Sequence, residues 1–274
     1  MNVTFIYQSE RSDFMKKTKK QEMILIKELR IKQRVELDEA IKLLDMSEST
    51  IRRLFIRLEE MGLAIRSHGA ICLINNTVMD SYDFEKVEIK SVSQKEKIAN
   101  RAVELLNPRD VIYLDSGTTL AHFCNAVLHK FTTGELCDIT VFTNSLVNLE
   151  ILKSVMKVNL IGGEFRNHRR DFCGYLAQES LNKLHFTKCF LGTDGYGERI
   201  GFTATDFETA RLNEMVIANS AERFVLMASE KLFTPSFVSY ADYNSITNVI
   251  TDDLVDRELV QSVFHDDSKV IFAE

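Results

Sequence analysis

The 274-residue sequence lacks several features that mark particular classes of protein. None of its apolar runs reaches the roughly 18 residues that a helix needs to span a bilayer, which argues against a membrane protein. Its first residues, MNVTFIYQSERSDF, hold no apolar segment typical of a secretory signal peptide. Its five cysteines are scattered, odd in number and never in a CxxC pair. The sequence therefore predicts neither a disulfide framework nor a zinc site, and it fits a reducing cytoplasm.

The composition is that of an ordinary globular protein, with 45% hydrophobic and 27% charged residues in a chain long enough for two domains. The charge is uneven. Residues 1–76 hold 14 Lys and Arg against 11 Asp and Glu, a net charge of +3, and the remainder holds 20 against 29, a net of −9, within the total of −6. This basic head (residues 1–76) on an acidic body (residues 77–274) suggests that the head binds a polyanion. Chance variation in surface charge is the alternative.

The basic head reads as three short helices followed by a hairpin. Apolar residues recur at helical spacing in residues 16–30, 35–44 and 51–61. Ser47 suits the N-cap of the third helix, and Gly62 suits its C-terminal stop. Residues 63–73 then read as two strands joined by a turn. This order predicts a winged helix-turn-helix, whose third helix would lie in the major groove of DNA.

The third helix and the turn of the hairpin hold the candidate DNA contacts. Hydroxyl and basic side chains fall largely outside the apolar stripe, in the half of the helix where the N-terminus already favours anions. These candidates are Ser49, Thr50, Arg52, Arg53 and Arg57 on the helix, and Arg66 and His68 in the wing. A small helical bundle with a solvated arginine face is the competing interpretation.

Beyond residue 93, short apolar runs alternate with helical segments, as they do in parallel α/β domains. The predicted strands are 111–114, 139–142, 157–161, 188–191, 223–227, 248–251 and 269–272. In such a domain the loops at the carboxyl ends of the strands bind ligands.

Small, hydroxyl or charged residues follow five of these strands. After the first strand, backbone N–H groups and hydroxyls would converge at a helix N-terminus, which is a ready cradle for phosphate. The candidates are Asp115, Ser116, Gly117, Thr118 and Thr119 after the first strand, Asn144 and Ser145 after the second, Gly162, Gly163 and Arg166 after the third, Asp194 after the fourth, and Lys231 after the fifth. Each loop alone is a weak indication, because such residues also serve turn geometry. Arg169 and Arg170 read as solvated loop charges.

Both halves of the chain resemble one known family. The head has S-T-I-R-R at 49–53, then Leu58-Glu59, Gly62-Leu63 and the wing residues Arg66, His68, Gly69 and Ala70, which resembles the signature of the DeoR family of bacterial transcriptional regulators. The body has D-S-G-T-T, T-N-S, G-G-x-x-R, G-T-D-G and S-x-K at its strand ends, which resembles the effector domain of that family. The resemblance spans about residues 18–273. The chain departs from the family at Leu54 and Ala228, where Asp is usual, and at Ala70, where Gly is usual.

The resemblance implies an α+β chain of two domains, with an N-terminal winged helix-turn-helix and a C-terminal α/β Rossmann-like domain similar to ribose-5-phosphate isomerase A. Residues 1–17 would be an N-terminal extension, with Met15 as an alternative start. Residues 18–76 would bind DNA, 77–93 would be a polar linker, and 94–274 would sense the effector and join subunits.

The implied function is sequence-specific repression of an operon for carbohydrate catabolism or transport, relieved by a phosphorylated sugar or polyol. The implied protein is a dimer or tetramer that binds an operator at the nucleoid in the cytoplasm and needs no cofactor or metal. One alternative is a sugar-phosphate isomerase-like enzyme, in which Asp194, Glu208 and Lys231 supply acid, base and electrostatic groups. Another is a DNA-binding protein whose body only oligomerises.

Overall fold

The structure is a computed structural model, and it describes residues 21–60 except 23, 27, 30, 31 and 33, together with residues 64–67, 69–73, 82–254, 257–264 and 268–274. The chain divides into two compact units, Met1–Met79 with Leu254–Leu259 and Asp80–Asp253 with Val260–Glu274. The predicted extension and the alternative start at Met15 lie outside the described residues. Across the described ranges, no helix combines the length and the apolar character that crossing a membrane requires.

The first unit is a helix-turn-helix with a small sheet. Helix α1 (Leu37–Leu44) and helix α2 (Glu48–Glu60) are joined by a tight turn, in which Asp45 takes a left-handed backbone conformation with φ 48°. Strands β1 (Arg34–Glu36), β2 (Ala64–Ser67) and β3 (Ala70–Leu73) form an antiparallel sheet in the order β1–β3–β2. The winged helix-turn-helix predicted from the sequence is confirmed, and β1 is a strand that the sequence pattern did not predict.

The apolar stripe of α2 packs into the core of this unit. Ile51, Leu54, Phe55 and Leu58 are buried together with residues of α1 and the sheet, as their helical spacing predicts. Leu54 is one of the departures from the family pattern, and its side chain belongs to this core. The predicted stop at Gly62 lies outside the described residues.

The second unit contains a seven-stranded parallel sheet. Its strands are β4 (Val111–Leu114), β5 (Thr140–Thr143), β6 (Val158–Leu160), β9 (Phe186–Gly192), β12 (Ser220–Leu226), β14 (Asn248–Asp252) and β15 (Val270–Ala273). Their order across the sheet is β15–β14–β12–β9–β4–β5–β6. Each of the seven overlaps a predicted strand. Phe190 of β9 stacks between Phe123 and Phe224, with ring centroids 4.6 and 5.0 Å away, and so ties the centre of the sheet to a covering helix.

Helices precede and connect these strands, and the last of them begins in the stretch Leu254–Leu259 of the first unit. They are α3 (Phe84–Glu88), α4 (Val92–Val103), α5 (Thr118–Thr132), α6 (Leu146–Leu152), α7 (Tyr175–Leu181), α8 (Phe207–Ala218) and α9 (Arg257–Phe264). The alternation of strands and helices gives the α/β architecture that the sequence predicts.

Short antiparallel strands, which the sequence pattern did not predict, are added to this framework. Strands β7 (Glu164–Arg166) and β8 (Asp171–Cys173) form a hairpin, and β10 (Gly195–Gly197), β11 (Gly201–Ala204) and β13 (Val238–Ala241) form a separate sheet. One close approach in the second sheet requires glycine, because a Cβ atom at Gly195 would lie 1.8 Å from the carbonyl oxygen of Thr234.

The predicted linker, 77–93, differs from the structure in its described part. Residues 82–93 contain α3 and the start of α4. Helix α3 has only five residues, so tertiary contacts hold it rather than periodicity: Phe84 is buried, and Nζ of Lys95 donates to the carbonyl of Val87 at 2.6 Å. Burial, together with the nearby charge of Lys231, lowers the pKa of Lys95 to about 8.

Candidate functional site

The N-terminal half of α2 places basic side chains at the surface of the first unit. Arg52 and Arg53 are both exposed, and Arg52 pairs with Glu48 at 2.7 Å. Within the described ranges Arg53 makes no ion pair, so its guanidinium is available to an incoming phosphate or base. The hydroxyl of Ser47 lies 3.1 Å from that of Ser49 and 2.8 Å from that of Thr50, and these two candidates therefore also hold the first turn of the helix.

Two other predicted DNA contacts have carboxylate partners inside the unit. Nε of Arg57 lies 2.7 Å from Oε1 of Glu22, whose side chain is only 6% exposed. Nε of Arg66 donates to Oε2 of Glu59 at 2.6 Å, and its backbone amide donates to the other oxygen at 2.9 Å. These arginines therefore brace the unit as well as carrying positive charge. His68, the remaining predicted contact, lies outside the described residues.

A small polar pocket, open to solvent on one side, lies in the second unit at one edge of the parallel sheet. It is formed at the carboxyl ends of β4 and β9, which are neighbours in the sheet although β5 to β8 lie between them in the chain. Since β5 and β6 lie on the other side of β4, this is a topological switch point, where open α/β sheets bind ligands. Seven of the predicted residues line the pocket: Asp115, Ser116, Gly117, Thr118, Thr119, Asp194 and Lys231.

The start of α5 forms one wall of this pocket. Gly117 precedes the helix with φ 115° and ψ 164°, and as the N-cap residue it offers no side chain to the first-turn amides. Thr118 and Thr119 are buried in the first turn, where the helical N–H groups have no partner within the helix. Uncapped amides, two hydroxyls and the positive end of a 15-residue helix favour an anion at this position.

Asp115 lies buried at the base of the pocket. Its Oδ1 accepts the amide of Ser116 at 2.7 Å, and its Oδ2 accepts the amide of Gly192 at 3.1 Å. Burial raises the pKa of Asp115 to about 7, and these two amide hydrogen bonds and the charge of Arg169 offset the rise only in part. The carboxyl group therefore exchanges a proton near neutral pH inside the pocket.

We expect Asp115 to make the folded protein less stable as the pH rises from about 4 to about 7. The folded carboxyl keeps its proton up to a pKa of about 7, whereas an unfolded aspartate loses it near about 3.9. Between these values the folded chain binds the extra proton, so the free energy of unfolding falls by at most about 1.4 kcal/mol per pH unit. In urea denaturation across this interval, the free energy of unfolding of Asp115→Asn should fall less, or rise more, with increasing pH than that of the wild type.

Asp138→Asn is the matched control for this measurement. The Asp138 side chain is 73% exposed, and asparagine tolerates its left-handed backbone with φ 53°. The control should keep the wild-type slope. An identical slope in Asp115→Asn would contradict the titration of Asp115.

Arg169, which the sequence pattern placed among solvated loop charges, is instead buried against the pocket. Its side chain is 4% exposed, and Nη1 donates to Oγ1 of Thr205 at 2.8 Å. Carboxylate oxygens of Asp171, Asp206 and Asp194 lie 3.6, 3.6 and 3.9 Å from its nitrogens, beyond hydrogen-bonding distance. The loop between β7 and β8 turns this arginine inward, which local sequence could not indicate.

The predicted residues after β5 do not line the pocket, because the β7–β8 hairpin covers them. Oδ1 of Asn144 accepts the hydroxyl of Tyr113 at 3.0 Å, and its Nδ2 donates to the carbonyl of Phe172 at 3.0 Å. The hydroxyl of Ser145 accepts the amide of Asn148 at 3.2 Å and caps α6. Structural hydrogen bonds thus occupy both side chains, where the sequence predicted contacts with a ligand.

The predicted residues after β6 also lie outside the pocket. Nε and Nη2 of Arg166 donate to Asp171 at 2.8 and 2.7 Å, and Nη1 donates to Asp206 at 2.8 Å. Asp171 is fully buried, so this bidentate pair holds the hairpin rather than a phosphate. Gly162 and Gly163 lead into the hairpin, and a Cβ atom at Gly163 would lie 2.2 Å from a backbone carbonyl oxygen of β8.

Lys231 and Asp194 reach the pocket from two other strand ends. Nζ of Lys231, in a short 3₁₀ helix (Ser229–Lys231) after β12, donates to the carbonyl of Thr193 at 2.5 Å. Oδ2 of Asp194, after β9, accepts the amide of Thr205 at 3.0 Å. Glu208, weighed as the base of an isomerase, does not line the pocket, and its carboxylate accepts a backbone amide at the start of α7 at 3.1 Å.

Two family models match the chain, the DeoR-like helix-turn-helix domain over residues 21–77 and the DeoR C terminal sensor domain over residues 90–253. An uncharacterized HTH-type transcriptional regulator FruR of Bacillus subtilis (strain 168) is 32% identical, over 80% of this chain and 84% of that protein. Lactose phosphotransferase system repressors of Staphylococcus epidermidis and Streptococcus mutans serotype c are 27% and 28% identical, over 83% and 80% of this chain and 90% and 85% of theirs.

Solved structures resemble the chain more distantly. Ribose 5-phosphate isomerase A from Methanocaldococcus jannaschii gives a TM-score of 0.40 at 19% identity, over 52% of this chain and 55% of that one. The eIF2B delta subunit from Chaetomium thermophilum gives a TM-score of 0.41 at 18% identity, over 60% of this chain and 57% of that one. Likenesses of this size say nothing about activity.

Proposed function

The chain belongs to the DeoR family of DNA-binding transcriptional regulators, and from that premise we propose that it represses a carbohydrate operon and leaves the operator when a phosphorylated sugar or polyol binds. It is a regulator and not an enzyme, since its relatives are a transcriptional regulator and repressors. We also propose that the protein assembles from two or four subunits and acts at the nucleoid.

The observation that carries the effector class is the uncapped N-terminus of α5 beside Lys231 in one pocket. Amides, hydroxyls and an ammonium group suit the charge and the many acceptor oxygens of a phosphate. The carboxyl groups of Asp115 and Asp194 lie in the same pocket and suit the hydroxyl groups of a sugar or polyol. Two relatives are named for a lactose phosphotransferase system, which supports a sugar and a phosphoryl group as the chemistry involved.

The proposed DNA surface is the exposed part of α2 with the wing. Arg52 and Arg53 would contact bases or phosphates with Ser49 and Thr50, and the wing would add Arg66 and His68. Effector can release DNA only if it favours a different arrangement of the DNA-binding domains, and DNA must then weaken effector binding by the same factor.

A thermal-shift screen against phosphorylated sugars and polyols, with the unphosphorylated compounds beside them, tests the effector class. A true effector at 100 times its Kd should stabilise the chain by about 2.7 kcal/mol. Lys231→Ala should reduce that stabilisation, because it removes the ammonium group from the pocket. Lys183→Ala removes the same charge from an exposed position and should respond as the wild type does. Stabilisation by no phosphorylated compound, or by unphosphorylated compounds equally, would refute this effector class.

A further inference from the structure

The leading segment of the second unit, residues 82–91, contributes its first residue to the pocket wall. Tyr82 lines the pocket, and the guanidinium carbon of Arg169 lies 4.0 Å from the centroid of its ring. Two residues later, the amide of Phe84 donates to the carbonyl of His168 at 2.8 Å. The leading segment and the β7–β8 loop are therefore fastened together beside the pocket.

The far end of the leading segment is fastened to another pocket loop. Oγ of Ser91 donates to Oε2 of Glu230 at 2.8 Å. Glu230 immediately precedes Lys231 in the chain. The C-terminal carbonyls of α3, which lies between these two contacts, accept Nζ of Lys95. Both ends of the leading segment thus contact loops that line the pocket.

Tyr82 and Arg169 retain hydrogen-bonding capacity that the described part of the chain does not use. The hydroxyl of Tyr82 and Nε of Arg169 are both buried, and neither donates to an acceptor among the described residues, although the amide of Thr118 faces the Tyr82 oxygen. Burial raises the pKa of the Tyr82 hydroxyl, which therefore remains a donor at any physiological pH. Leaving such groups without an acceptor costs about 1–3 kcal/mol each, so an acceptor in the pocket would be stabilising.

These donors lie beside the proposed phosphate cradle. A Cβ atom at Gly117, the residue that precedes α5, would lie 3.6 Å from the hydroxyl oxygen of Tyr82. Arg169 makes one hydrogen bond to a hydroxyl, and its three neighbouring carboxylates lie at 3.6–3.9 Å, so several of its N–H groups can still serve a ligand.

We propose that Tyr82 and Arg169 donate hydrogen bonds to the anionic group of the ligand, and that the ligand thereby holds the leading segment against the sensor domain. The inference rests on the proposed function in taking a ligand with a phosphate group. Tyr82 follows the end of the helix-turn-helix match at residue 77 by only five residues. Ligand binding therefore acts directly on the stretch of chain that follows the DNA-binding domain.

The variant Tyr82→Phe tests whether the Tyr82 hydroxyl binds the ligand or only supports the fold. The O–H of Tyr82 has no acceptor to lose in the unliganded protein, so the melting temperature without ligand should change little. The Kd for inorganic phosphate, and for any phosphorylated sugar that stabilises the wild type, should rise about tenfold or more. Tyr175→Phe removes a hydroxyl from an exposed residue and is the matched control.

Arg169→Lys tests the second proposed ligand contact. Hydrogen exchange tests whether the ligand holds the leading segment. Lysine keeps the charge but not the planar set of donors, so phosphate should again bind more weakly. Phosphate should slow the exchange of amides in residues 84–91 of the wild type more than those of α6, and Tyr82→Phe should lose this difference.

The outcomes distinguish this inference from the proposed function. Equal Kd values for the wild type and Tyr82→Phe would overturn the inference, even if a sugar phosphate binds both and the proposed function stands. Inorganic phosphate binding that depends on Tyr82, without binding of any sugar phosphate, would refute the proposed effector and leave the inference standing. A wild-type protein that binds no anion would overturn both.

Discussion

Replacing Arg53 by alanine is expected to weaken operator binding by about 5- to 150-fold, the equivalent of about 1–3 kcal/mol for a lost base contact, without changing the melting temperature. Arg53 is exposed on α2 and forms no ion pair within the described ranges, so its removal leaves no buried charge behind. If Arg53 contacts phosphate alone, binding should weaken on every sequence and the salt slope should fall by about one. Fluorescence anisotropy with operator and unrelated DNA, over a series of salt concentrations, separates the two cases.

Two further arginine variants complete that experiment. Arg211→Ala removes the same charge from an exposed position on α8 and should leave operator affinity unchanged. Arg57→Ala should lower the melting temperature, because the buried carboxylate of Glu22 loses this cation, and adding Glu22→Gln should restore part of the loss. Wild-type affinity of Arg53→Ala for both DNAs would refute the placement of α2 on DNA.

The parallel sheet was predictable because buried parallel strands are continuous apolar runs, which stand out between polar loops. The predicted strand at 111–114 coincides with β4, and the others differ from the structure by a few residues at their ends. The hairpin of β7 and β8 was not predictable in this way. Each of its strands has three residues, too few for any period to show, and side-chain contacts such as that of Arg166 with Asp171 hold it.

In the candidate site, too, local features were predictable from the sequence and tertiary ones were not. The strand–turn–helix geometry at 115–119 is a local arrangement, so the sequence alone suffices to predict it. Asn144 failed to reach the pocket for a tertiary reason: β9 inserts beside β4, and the β7–β8 hairpin then covers the end of β5. Arg166 and Arg169 belong to the same short stretch, and only the folded hairpin decides which of them faces a carboxylate and which faces the pocket.

Replacing Arg166 by alanine is expected to lower the free energy of unfolding by about 3–5 kcal/mol in the absence of any ligand. The variant leaves the fully buried carboxylate of Asp171 without its bidentate partner, and the hairpin without its link to Asp206. Urea denaturation of the unliganded protein measures the loss. Adding Asp171→Asn should recover part of it, because the buried group is then neutral.

Arg170→Ala is the matched control, since this half-exposed arginine of the same loop lies 3.4 Å from Glu150 and such surface pairs contribute about 0–1 kcal/mol. The comparison decides between two roles for Arg166. A large loss of stability without ligand means that Arg166 acts through the hairpin, which positions Arg169 in the pocket. Wild-type stability combined with weakened phosphate binding would instead make Arg166 a ligand contact, as its sequence motif predicted.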